Sequence, residues 1–194
     1  MNYGAFISYT LLAAFTPGPN TIMAMGNSAR AGLRRGLVFS AGVLLGFSFV
    51  LSLCALFTSM LYQYVPAVAA VMKWVGAAYI LFLAFTILRD KPHAKKEQTL
   101  LRPDSFFTGI VMQFVNVKGI LYGITAFSSF ILPHTRSPLL LGVAVVYLAL
   151  TAFASCCSWS LFGSLLQQVY ERHKKWMNLA MALLLVYCAI ISVL

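Results

Sequence analysis

The sequence predicts an all-α integral membrane protein with six transmembrane helices, arranged as a 3+3 inverted repeat with interrupted first and fourth helices. Three observations carry this. Of 194 residues, 61% are hydrophobic and only 9% charged, with a mean hydropathy of +0.86, whereas a soluble domain carries about a quarter charged residues. Several charge-free stretches approach or exceed the ~20 residues that cross a bilayer. A hydrophilic segment, "RDKPHAKKEQTLLRPDS", divides them into two groups of three. Three is odd, so a duplicated unit enters the membrane from opposite sides.

The predicted spans are Tyr3–Ser28, Leu37–Gln63, Ala67–Leu88, Phe106–Leu132, Leu139–Leu165 and Met177–Leu194. They form one transmembrane domain over 1–194, with repeat halves of about 1–90 and 104–194 joined by a basic loop. Repeat character shows in the first spans of the two halves, "TPGPNTIMAMG" and "FVNVKGILYGI", each an irregular polar cluster midway along an apolar segment. The third spans, "GAAYILFLAFTIL" and "MALLLVYCAIISVL", each carry a tyrosine, Tyr79 and Tyr187.

Charge sets the orientation. Arg30, Arg34 and Arg35 lie in the first loop, Arg89, Lys91, Lys95, Lys96 and Arg102 in the third, and Arg172, Lys174 and Lys175 in the fifth, against Arg136 alone in the even loops. The positive-inside rule makes the three basic loops cytoplasmic and both termini periplasmic, in a multi-pass protein of a bacterial inner membrane. No basic residue precedes Arg30, so the charged start of a secretory signal peptide is missing and the first span is read as a retained helix. A net charge of +10 gathered in loops is a topological signal and not a nucleic-acid surface.

The first span contains "FTPGPNTI". Pro17 and Pro19 remove backbone donors and free carbonyls around Ala13 to Phe15, about 20 Å along the span and so near mid-membrane. Lipid cannot satisfy such groups; they must be buried in protein or line a polar cavity. One reading is a mere kink held by neighbouring helices. The other, favoured by two prolines flanking Gly18 and by the amide of Asn20, is a ligand-lining break whose second half-helix offers its positive end to an anion.

Lys118, in "QFVNVKGILYG", also falls near the midplane, where a cation is costly. Asp90, Glu97, Asp104 and Glu171 all fall in or beside loops, so its partner is either the freed carbonyls of the first span or the carboxylate of a bound substrate. Gln113, Asn116 and Tyr122 complete a candidate polar lining. The competing reading is a buried lysine that only ties two helices together. Lys73, beside Trp74, is expected to snorkel to the interface.

Other chemistry finds little footing. The histidines fall in loops, with no metal-ligand pair at helical spacing and no cofactor motif, and no nucleophile has a recognisable base. There is no P-loop for ATP. Cys54, Cys156, Cys157 and Cys188 lie within spans, form no C-x-x-C, and read as small packing residues. Gly42 and Gly46, spaced as G-x-x-x-G, pack two helices of one subunit or, less favoured, a dimer.

The P-G-P of the first span, the loop "ARAGLRRGL", the third-span "WVGAAYIL" (Trp74 to Leu81) and an N-x-K motif followed by a later proline together resemble the LysE/RhtB family of amino-acid exporters along nearly the whole chain. "MQFVNVKGILYG" and the closing "ALLLVYCA" are most similar to its cysteine- and O-acetylserine-exporting branch, seen in enteric bacteria. The resemblance implies a secondary exporter of small neutral amino acids, and it carries Pro17, Gly18, Pro19, Asn116 and Lys118 over as motif positions. Homoserine or threonine export, or a non-transporting subunit of a membrane complex, are the alternatives; coupling to protons and oligomerisation stay open. Two departures stand out. Val117 replaces the proline that many members carry, implying a gentler bend, and Phe47 occupies a place where many carry an aspartate.

Overall fold

The computed structural model describes residues 3–60 and 103–193, together with Trp74, Ala78, Leu81, Phe82, Ala84, Phe85 and Leu88. Apart from those seven positions, the third predicted span and the basic third loop lie outside the described residues, as do Lys73 and Tyr79.

The predicted first span is two helices, α1 (Tyr3–Phe15) and α2 (Pro19–Ala31). Gly32, at φ 84°, then turns the chain directly into α3 (Leu33–Met60). Only glycine takes that backbone without strain, so the turn needs a single residue and Arg30, Arg34 and Arg35 sit on helix ends rather than in a loop. The predicted fourth span is α4 (Phe106–Val115) and α5 (Val117–Thr125), continued by a π-helical turn at Ala126–Ile131. The two limbs meet at 63°. Proline at its first turn starts α6 (Pro138–Leu165), after which the short α7 (Gln167–Arg172) leads into α8 (Lys174–Val193).

Among the described residues, α3 and α6 are each long and apolar enough to cross a membrane, and the bent α4–α5 pair is so as well when its two limbs are taken as one span. The helix count expected from the sequence is thus matched in part. Large apolar side chains such as Leu12 (71% exposed) and Leu139 (77%) face outward on the helix surfaces, as suits helices solvated by hydrocarbon.

At the centre lies α2. Nine of its thirteen residues are buried, against α3, α6, α7 and α8. By contrast, α1 buries only Phe6 and Thr10 and hangs at the edge. Glycines seat α4 on α3: a Cβ on Gly42 would meet the Phe106 carbonyl, one on Gly46 the Ile110 carbonyl at 2.7 Å, and one on Gly109 the Phe39 carbonyl. The G-x-x-x-G pair therefore packs two helices of one subunit.

The arginine-bearing end is tied by polar contacts. Asn27 Nδ2 donates to the Pro103 carbonyl (2.8 Å), Arg30 donates to Asn27 Oδ1 (2.7 Å), and Arg35 pairs with Asp104 at 3.6 Å. Ser105 caps α4 by accepting from the Thr108 amide.

Candidate functional site

Two interrupted helices meet at one place. In the first, Pro17 and Pro19 lack the N–H groups that the Ala13 and Phe15 carbonyls would use in a continuous helix. Gly18 is extended (φ −165°, ψ 179°), and Thr21 closes the gap, its hydroxyl accepting from the Gly18 amide at 2.9 Å and lying 3.0 Å from the Gly18 carbonyl. Pro19 opens α2, where no amide is missed.

The freed carbonyls find partners from other elements. Ser155 on α6 donates to the Ala14 carbonyl at 2.9 Å, and the Trp159 indole N–H, one turn further on, to the Phe15 carbonyl at 3.3 Å. The Thr16 carbonyl accepts from Lys118 Nζ.

In the second interruption a single residue does the work. Asn116 ends α4 and begins α5, and its Oδ1 accepts from the Gly119 amide at 3.2 Å. The bend that results, 63°, is sharp without proline, so Val117 does not straighten the span as the resemblance implied. Asn116 presents Lys118 on the first turn of α5, half-buried, with its stem along Gly18: a Cβ there would lie 2.8 Å from Lys118 Cδ and 3.0 Å from Nζ. Gly18 is the residue whose missing side chain lets the cation reach Thr16.

A reciprocal amide pair locks the two breaks together. Asn20 Nδ2 donates to Gln113 Oε1 (2.8 Å) and Gln113 Nε2 to Asn20 Oδ1 (3.1 Å), while Gln113 also donates to the Gly109 carbonyl. Between the breaks lies a small cavity.

Of the eight residues singled out in the sequence, Gly18, Pro19, Asn20, Asn116, Lys118 and Tyr122 line this cavity. Gln113 is fully buried behind Asn20, and Pro17 is exposed on the outer side of the break. Tyr122, 5% exposed, stacks on Phe47 and Tyr9 at 6.0 and 5.8 Å, and its hydroxyl is buried with no hydrogen-bond partner. Sequence reasoning did not place Ala13, Ala14, Thr21, Gly119, Ala152 or Cys156 on the wall, and noted Phe47 only as standing where relatives carry an aspartate. Cys156 was expected to be packing alone; it is buried, and also faces the cavity. No acid is among the lining residues.

The profile of the LysE type translocator matches residues 11–193. The chain belongs to the LysE translocator family. It is 42% identical over 187 residues to the cysteine/O-acetylserine efflux protein of Klebsiella pneumoniae, covering 96% of this chain and 94% of that one, and 41% identical over the same span to the protein of that name from Escherichia coli K12. No solved structure matches it. The broken helices and the cavity thus belong to a translocator and not an enzyme.

Proposed function

We propose that this protein exports cysteine, O-acetylserine and similar small zwitterions from cytoplasm to periplasm across a bacterial inner membrane, by alternating access around the cavity between the two breaks. The observation that carries the reading is Lys118, whose ammonium rests on the Thr16 carbonyl at the cavity wall. A substrate carboxylate takes over that ammonium, and the substrate's own ammonium takes the carbonyl that Lys118 leaves. The exchange conserves charge pairing in a place where an unpaired ion is costly. Asn20 and Asn116 supply further polar partners, Gln113 holds Asn20 in position, and Pro17, Gly18 and Pro19 keep the carbonyls available. A zwitterion carries no net charge, so its passage does no work against the membrane potential.

Six spans in a 3+3 inverted repeat, with halves of about 1–90 and 104–194 and both termini periplasmic, supply the two gates that this mechanism needs. The reading is supported by the paired breaks and by the basic residues gathered at one set of span ends. With that orientation the tightly packed α2 and the Arg35–Asp104 pair close the cytoplasmic side, and the loosely held α1 borders the periplasmic side.

Proteoliposomes loaded with labelled cysteine, O-acetylserine, threonine, homoserine or lysine test this, for wild type and Lys118→Ala, with and without a proton gradient. The expected result is efflux of cysteine and O-acetylserine, reduced to background in a Lys118→Ala protein that remains monodisperse in detergent. Equal efflux from both proteins would make Lys118 a structural tie. Absence of efflux for every amino acid would favour a non-transporting role in a complex.

A further inference from the structure

Every amino acid presents the same ammonium and carboxylate, so the polar groups at the breaks cannot tell one from another. Discrimination needs a second wall. The cavity has one: Phe47 from α3, Tyr122 from α5, and Ala152 and Cys156 from α6. We infer that Ala152 and Cys156, which line the cavity together with the Phe47 and Tyr122 rings, form the slot that reads the substrate side chain and caps its size near that of O-acetylserine. The inference rests on the export reading of this cavity.

Ala152 and Cys156 are four residues apart on one helix and so share a face, one turn above the other. Their azimuth is held firmly. Ser155 and Trp159, on the adjoining face of the same helix, are bonded to the Ala14 and Phe15 carbonyls at 2.9 and 3.3 Å, so α6 cannot rotate without breaking the closure of the first break. The opposite wall is equally fixed. Phe47 is 2% exposed, and its Cε2 lies 3.0 Å from where a Cβ on Gly119 would stand, which leaves the ring no room to retreat into α5. With both walls held, the bulk of residues 152 and 156 decides how long a side chain enters.

The chemistry of the wall adds a second filter. None of the four side chains is charged, so a lysine or aspartate side chain would lose its hydration there without a counter-charge. The slot takes short, neutral side chains: thiol, hydroxyl or a small ester.

The test is a competition in proteoliposomes between cysteine and the longer O-acetylserine, with O-propionylserine, one methylene longer again, as the oversize probe. Ala152→Leu fills the slot and is expected to lower O-acetylserine efflux at least ~10-fold relative to cysteine, the scale on which apolar pockets discriminate small changes in length. Cys156→Ala, which removes bulk and is mild for folding, is expected to admit O-propionylserine, which the wild type excludes. If Ala152→Leu does not fold, the O-propionylserine result for Cys156→Ala decides alone. Unchanged ratios with O-propionylserine still excluded overturn the slot while leaving export intact, and so does O-propionylserine export by the wild type. A wild type that exports no amino acid overturns the export reading and the slot with it.

Discussion

The two interruptions face one cavity, yet they are built from opposite materials. The first spends three residues, Thr16 to Gly18, and two prolines, and its product is a set of carbonyls without helical partners. The second spends one residue, Asn116, whose side chain caps the helix it starts, and its product is an ammonium at the head of α5. One break supplies acceptors and the other a donor. Each alone would leave costly polar groups within an apolar slab, and the Lys118 to Thr16 bond cancels the two costs against each other. Such a pairing can be reopened by a ligand that carries both a carboxylate and an ammonium.

The comparison is most exposed to attack at Gly18, where the breaks touch. Its extended backbone is open to any residue, so Gly18→Ala introduces no backbone strain. What the new methyl meets, at 2.8 Å, is the flexible stem of Lys118. The side chain yields, the fold survives, and the ammonium moves off the Thr16 carbonyl. Efflux is expected to fall roughly 10- to 100-fold, the scale of a ~1 Å misplacement of a positioning group, with the melting temperature in detergent nearly unchanged. Full efflux from Gly18→Ala would mean that the position of the cation beside the first break is irrelevant to transport.

At the next scale the breaks differ in what sustains them. With Pro19 retained, Pro17→Ala still lacks the amide that the Phe15 carbonyl would use, so the first helix stays broken. Nothing but Asn116 interrupts the second. Asn116→Ala removes the cap and lets α4 run on into α5, straightening the 63° bend and swinging Lys118 away. A loss of about 1 kcal/mol is expected from the cap alone, read as a lower melting temperature, with a deeper loss of efflux than Pro17→Ala gives. Equal behaviour of the two variants would show that the second break is imposed by packing and not by Asn116.

Much of this was legible in the chain. Prolines and a midplane lysine are local signals, and local signals survive reading one residue at a time; Gly18, Asn116 and Lys118 were found that way. Bend sharpness was not, because valine in place of proline suggested a gentler turn while the asparagine before it already served as a cap to both helices. Phe47, Ala152 and Cys156 escaped for a different reason. In a helix bathed by hydrocarbon, the lipid face and the protein face are both apolar, so periodicity no longer tells which residues point inward. The polar part of the lining has a sequence signature; of the apolar wall only Tyr122 was singled out as lining.

The smallest expected effect separates closure of the first break from its use. Ser155 donates to the Ala14 carbonyl, a group outside the proposed exchange between Lys118, Thr16 and substrate. Its loss should therefore act on stability first. Ser155→Ala is expected to cost ~0.6 kcal/mol, the average for interhelical hydrogen bonds in a membrane protein, and to lower the melting temperature slightly with efflux of cysteine nearly intact. Trp159→Phe, which removes the donor to the Phe15 carbonyl and keeps an aromatic ring, should behave the same way. If either variant instead abolishes efflux while leaving the melting temperature alone, the carbonyls of Ala14 and Phe15 belong to the transport path, and the first break offers substrate more than the single acceptor at Thr16.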